Sequence, residues 1–267
     1  MSQKISPLNY AFAVGKVRAL EKFLIKGEIF AQAVDAQAVD ALRLFADSGR
    51  YSEALTQVNN SRQLEDVLRD ELVRLKGLLS SLLLEEALVS LIRSDDLEGI
   101  AGSLPKLNSG FLRDYLRHLI DMHNIKTFLR LYLLKEPRER LVELLKQDGF
   151  IKKEDFFALY SQDLASFINR LAFVHKQDVI VDYAYFLAGA IRKLEKDRSF
   201  VSLERSINDF LVSALKPARY FTFGPEPLLA YYFAKVNEIS LVRMIILAKL
   251  SRLSGGTVKE RLNNVYA

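Results

Sequence analysis

Apolar residues recur every three or four positions along nearly the whole chain, the spacing that lines one face of an α-helix. No convincing run alternates apolar and polar residues as a half-buried strand would, so the pattern predicts an all-α fold. A first helix opens after Pro7, a good first-turn residue, and runs to about Ile25, where Gly27 stops it. A second covers roughly Phe30 to Ala46 and ends at Ser48-Gly49. From Leu64 to Ile92 the pattern predicts one long helix, whose Leu68, Leu72, Leu75, Leu79 and Leu82 alternate steps of four and three, a seam that packs inside the protein. Gly99, Gly102, Pro105, Asn108 and Gly110 crowd into the clearest loop and mark a first domain boundary. Helices resume from Phe111 to Leu134, with a bend near Asp121 to Asn124, then from Pro137 to Lys146, and again after Gly149. A pair comes next, over roughly Gln177 to Lys196 and Phe200 to Leu215. The break Lys216-Pro-Ala-Arg-Tyr-Phe-Thr-Phe-Gly-Pro-Glu-Pro227 precedes two terminal helices and a short third, with Pro225 and Pro227 fixing the first turn of the penultimate helix.

Three segments share an arrangement in which an aromatic-bearing helix leads into a second helix that begins at a hydrophobic anchor. The anchors are Val17, Ile125 and Ile239. Apolar residues follow at plus three (Leu20, Phe128, Val242), plus six (Phe23, Leu131, Ile245) and plus seven (Leu24, Tyr132, Ile246), so each helix presents the same face. Arg18 or Lys126 follows the anchor in the first two copies, and Asn124 or Glu238 precedes it in the last two. Glu139-Arg140-Leu141 of the middle copy matches Glu260-Arg261-Leu262 of the last. One such coincidence describes any amphipathic helix. Together they predict a threefold internal repeat, with units at 1–102, 103–216 and a shortened 217–267 packed as one body.

Composition excludes several classes of function. With 267 residues, half of them hydrophobic, the chain can bury a sizeable core. It contains no cysteine, which removes disulfides, thiolate metal sites and cysteine nucleophiles and fits a reducing compartment. The opening Met-Ser-Gln-Lys-Ile-Ser-Pro lacks the apolar core of a signal peptide. The most apolar windows, Leu78 to Ile92 and Leu228 to Leu250, are interrupted by Glu85, Glu86, Lys235, Glu238 and Arg243, so no span of the roughly 18 apolar residues a membrane requires is present. Net charge is +5, unevenly spread: residues 28–71 hold nine acids against four arginines, and residues 235–267 hold six bases against two acids. Solvated helix faces of uneven sign account for this.

Catalytic chemistry finds little to build on. His118, His123 and His175 are the only histidines, and the first two, five apart, lie on different sides of a helix, so they share no metal. Gly99-Ile-Ala-Gly-Ser-Leu-Pro-Lys106 lacks the second glycine of a phosphate loop, and no cofactor motif is present. Neighbouring carboxylates such as Glu85-Glu86 and Asp95-Asp96 diverge by about 100° on a helix and do not face each other. Ser80-Ser81 have neither a glycine elbow nor a histidine partner. Bases alternate with acids, as in Arg138-Glu-Arg140 and Lys259-Glu-Arg261, which reads as local ion pairing and not as a track for nucleic acid.

The stretch Phe223-Gly-Pro-Glu-Pro-Leu-Leu-Ala-Tyr-Tyr-Phe-Ala-Lys-Val-Asn-Glu-Ile-Ser-Leu-Val-Arg-Met-Ile-Ile-Leu-Ala-Lys249, continued by Val258-Lys-Glu-Arg-Leu262, resembles the C-terminal signature of the V/A-type (vacuolar/archaeal-type) ATPase C-subunit family, whose eukaryotic members are called the d subunit. The family also opens with a tyrosine-bearing helix leading into Arg-x-Leu-Glu, as Tyr10 to Glu21 does here. Its middle Asp-x-x-Asn-hydrophobic-Lys motif is matched by Asp121-Met-His-Asn-Ile-Lys126. The resemblance implies a funnel of three pseudo-threefold-related helical domains, without active site, nucleotide or cofactor. It also implies a cytoplasmic, peripherally bound protein that sits on the membrane rotor ring of proteolipid subunits and receives the central stalk of subunits D and F, for proton or sodium transport. Family members are commonly longer, so the repeats here are trimmed. In that frame Glu238 and Arg243 are expected to pair with Arg18, Asn124, Lys126 and Arg130 near the pseudo-threefold axis. Two other readings of the residues stand beside it, a helical-repeat scaffold unrelated to ion transport and a nucleic-acid-binding helical protein.

Overall fold

A computed structural model describes residues 5–94, 97–176 and 179–267. Short polar side chains open many of the helices by accepting a backbone N–H that the helix cannot satisfy itself. Ser6 and Asn9 form a reciprocal capping box that starts a 3-10 turn at Pro7–Tyr10, which runs into α1 (Ala11–Glu21). After α2 (Gly27–Asp35) and α3 (Ala38–Gly49), the Asn60 side chain accepts the Gln63 N–H at 2.9 Å and opens α4 (Ser61–Leu82). Then come α5 (Glu86–Ser94), α6 (Leu97–Ser103) and α7 (Gly110–Leu134), the last capped by Ser109. α8 (Glu139–Leu144), α9 (Lys153–Leu159) and α10 (Leu164–Ala172) lead to an antiparallel hairpin of β1 (Val174–Lys176) and β2 (Val179–Val181). α11 (Tyr183–Asp197), α12 (Val201–Leu215), a 3-10 turn at Lys216–Tyr220, α13 (Glu226–Leu250) and α14 (Gly255–Arg261) complete the order.

The chain divides into two compact units, one of residues 1–93 with 212–267, the other of residues 94–211. Each has its own core and its own 25-residue helix. In the first unit α13 packs on α1, α2, α3 and α4, and its Ile239, Val242, Ile245 and Ile246 meet Phe30, Phe45, Leu64 and Leu68. In the second, Phe128 of α7 stacks on Phe167 at 4.2 Å between ring centroids and is met by Phe156 and Tyr160. Both long helices carry apolar residues on most of their circumference, as buried helices do.

The all-α expectation holds, with the hairpin as its one strand-bearing exception among the described residues. The hairpin corrects the expected helix over 177–196: Val179-Ile-Val181 is a β-branched run that pairs with Val174–Lys176, and the Asp182 side chain caps a helix beginning at Tyr183. Gln177 itself, like Asp95, Asp96 and the first four residues, lies outside the described residues.

Four other boundaries differ for tertiary reasons. The helix expected over Leu64 to Ile92 stops at Leu82, and the freed N–H of Leu84 donates to the Tyr10 hydroxyl at 3.1 Å. The helix expected over Phe30 to Ala46 breaks at Ala36-Gln37, where the Lys249 ammonium donates to the carbonyls of Val34 and Ala36 and so caps α2. The expected loop at Gly99 to Gly110 is mostly α6 and a 3-10 turn at Leu104–Lys106, held by buried Ile100, Leu104 and Leu107. Finally, α7 runs unbroken through Asp121 to Asn124 and α13 through Glu238-Ile239, so the anchors lie inside continuous helices and begin none.

Candidate functional site

A charged residue in the middle of an apolar helix must find partners or carry a large desolvation penalty. α13 carries two, Lys235 and Glu238, one turn apart and only 4% and 3% exposed. The Glu238 carboxylate accepts from the Ile25 N–H at 2.7 Å, from the Tyr51 hydroxyl at 3.0 Å and from the Lys235 ammonium. Lys235 also donates to the Gly49 carbonyl at 3.1 Å, lies 3.7 Å from Glu71, and sits 4.1 Å from the centre of the Tyr51 ring. Burial and the Glu238 carboxylate push the Tyr51 hydroxyl well above its usual range, so it stays a donor. Gly49 has to be glycine, because a Cβ there would lie 2.6 Å from the Tyr51 ring.

α7 carries the matching pair. Four residues and one residue before the anchor Ile125 stand Asp121 and Asn124, both fully buried, at the positions Lys235 and Glu238 occupy relative to Ile239. Asp121 accepts from the N–H groups of Phe150 and Ile151 at 2.9 and 3.1 Å and from the Tyr183 hydroxyl at 2.7 Å. Because Tyr183 gives its proton to Asp121, its oxygen is left to accept from His118 Nδ1 at 2.8 Å. Burial lowers the His118 pKa to about 4, so the ring is neutral at physiological pH. Asn124 exchanges two hydrogen bonds with the backbone of Lys146, at 2.9 and 2.8 Å. A Cβ on Gly149 would collide with the Asp121 carboxylate.

The other expected residues take other partners. Arg18 pairs with Glu21 at 2.8 Å and donates to the carbonyls of Ala218, Arg219 and Phe221, which end the 3-10 turn before α13. Arg243 grips both oxygens of Glu65 at 3.0 and 3.1 Å. Arg130 pairs with Glu204 at 3.2 Å and lies over Phe200. Lys126 is half-buried, and its charge, with those of Lys146 and Arg130, adds to the burial that lowers the His123 pKa. Within the first unit Arg18, Glu238 and Arg243 thus take different partners, and each ties residues 1–102 to residues 217–267. Sequence reasoning did not single out Lys235, Tyr51, Asp121, Tyr183, Tyr10 or Lys249 as sites. For Lys235 and Asp121 a usable signal existed, a charge on the inward face of an otherwise apolar helix.

Chemically these clusters are closed. Every polar atom of Glu238 and Asp121 has protein partners, and no group of three or more His, Cys, Asp and Glu among the described residues is placed to hold a metal. No helix among them is long and apolar enough to cross a membrane. Beside the α13 pair lies an open cleft of about 300 Å³, lined by Phe23, Arg50, Glu71, Arg74, Tyr231 and Lys235 among others.

Comparison with known proteins adds two findings. The ATP synthase (C/AC39) subunit family model matches residues 96–261, more than half of the chain. The C subunit of the V-type sodium ATPase of Enterococcus hirae is 31% identical over 147 residues, a stretch that covers 55% of this chain and 42% of that protein. The matched stretch is therefore less than half the length of that relative.

Proposed function

Because the chain belongs to the ATP synthase (C/AC39) subunit family, we propose that it is a non-catalytic central-rotor subunit of a V/A-type rotary ATPase. It joins the central stalk, subunits D and F, to the membrane rotor ring of proteolipid subunits, in a complex that moves protons or sodium. It is cytoplasmic and held at the membrane by the complex. The observation that carries this reading is the family match over residues 96–261, and a relative whose name is that of such a subunit supports it.

A torque-bearing coupling needs stiff elements joined by contacts that do not slide. Two 25-residue helices, each about 37 Å long at 1.5 Å per residue, are such elements. Their buried polar pairs fix the rotation and height of each helix against its own unit, because a one-residue slip would strand Lys235, Glu238 or Asp121 without partners. The reading includes a threefold repeat of 1–102, 103–216 and 217–267, with Arg18, Asn124, Lys126, Arg130, Glu238 and Arg243 as its struts. The equivalent polar positions before Ile125 and Ile239 support it.

Affinity purification of the tagged full chain from its native membranes, in detergent that keeps the ATPase intact, is the test. Co-purification of the ring proteolipid and stalk subunits is the expected result. Recovery of neither refutes the coupling role.

A further inference from the structure

The coupling role names partners and no surface, and the first helix supplies one. We propose that the exposed face of α1 and its flanking turns is a docking groove for an acidic amphipathic helix of a partner chain. Phe12, Gly15 and Ala19, at steps of three and four, lie along one side of α1, with Leu8 in the 3-10 turn before it and Phe23 in the turn after it. All five are exposed, Phe12 at 78%, Leu8 at 64% and Phe23 at 42%, while the opposite side, with Tyr10, Ala13, Val14 and Val17, is buried in the unit. An apolar stripe this continuous on an exposed helix marks a contact surface.

Its shape and charge define the occupant. Large side chains stand at both ends and the middle is small: a Cβ built on Gly15 meets nothing within 4 Å. That saddle has room for the convex flank of another helix. The stripe is flanked by the exposed Lys16, Lys22 and Lys26, and the one acid in residues 5–26, Glu21, is committed to Arg18 at 2.8 Å. At its end the Arg50 guanidinium lies 4.3 Å from the Phe23 ring centre, on the rim of the cleft in which Arg74 is paired with Glu71. A second copy of this face would bring lysines against lysines, so the surface disfavours self-pairing. A helix with an apolar seam flanked by aspartates and glutamates satisfies both features at once, and electrostatic complementarity speeds and orients such an encounter.

The chain has no cysteine, so Ala11→Cys, exposed beside the stripe, carries a benzophenone-maleimide label at a unique site. The labelled, tagged full chain is irradiated in its native membranes and the cross-linked peptides are identified by mass spectrometry. The expected product is a peptide from another protein that forms an amphipathic helix with acidic flanks. Its yield falls at least tenfold with Phe12→Asp and with Gly15→Arg, two changes at open positions, with helix content unchanged by circular dichroism. Cross-links to a second copy, to lipid alone or to a non-acidic segment overturn the proposal, as do no cross-link and a yield that both substitutions leave intact. Recovery of ring and stalk subunits without this cross-link refutes the groove and leaves the coupling role standing. An acidic-helix cross-link without ring or stalk subunits does the reverse.

Discussion

At the residue scale, the buried ions are where single substitutions have the largest effect. Removing one member of a buried pair strands the other, at about 3–5 kcal/mol. Glu238→Ala, which orphans the Tyr51 hydroxyl and the Ile25 N–H and takes from the Lys235 ammonium its directly bonded countercharge, is expected to cost that much, read as the loss of unfolding free energy in urea. Lys235→Met leaves the buried Glu238 carboxylate two neutral donors and no bonded countercharge, and is expected to cost a similar amount. Gly149→Ala drives a methyl group into the Asp121 carboxylate and is expected to cost about 1–3 kcal/mol by the same measurement. His118 gives stability a pH dependence whose sign follows from its burial. The folded-state pKa, about 4, lies below the ordinary value near 6.5, so the unfolded chain takes up the proton first as pH falls. Stability from this group is complete above about pH 6.5 and declines toward pH 4, by about 3 kcal/mol. His118→Phe, in a site already walled by Phe150 and Phe210, should flatten that part of the pH profile.

At the element scale, several helix ends are set by side chains from distant parts of the chain. Tyr10 satisfies the Leu84 N–H and Lys249 satisfies the carbonyls of Val34 and Ala36, contacts 74 and more than 200 residues apart in sequence. Tyr10→Phe leaves the Leu84 N–H without its partner and is expected to destabilise by about 1–3 kcal/mol, with faster amide hydrogen exchange confined to the end of α4. The same two contacts explain why the hydrophobic pattern runs two helices together at each place. Apolar periodicity continues across both breaks, and only a partner far along the chain supplies the alternative hydrogen bond. The hairpin shows the converse: β-branched Val179-Ile-Val181 and the capping Asp182 are local signals, masked by the helical period of the residues around them.

At the scale of the whole molecule, the first unit is discontinuous: residues 1–93 pack against α13, which arrives from the far end of the chain. A chain ended after Leu211 therefore lacks the helix that Phe30, Phe45, Leu64 and Leu68 surround, and its residues 1–93 are expected to be digested in limited proteolysis while the 94–211 core resists. The sequence by itself determined the all-α class, most of the helices and the apolar faces of α7 and α13, because helical period and capping are local properties. It also carried the motif that leads to the family. Tertiary structure alone decided where α2 and α4 end, which partners Lys235, Glu238, Asp121 and Asn124 take, and that Arg18 and Arg243 join the two ends of the chain. Those are pairings between distant segments, and a buried charge announces in the sequence that it needs a partner without saying which residue folding will bring to it.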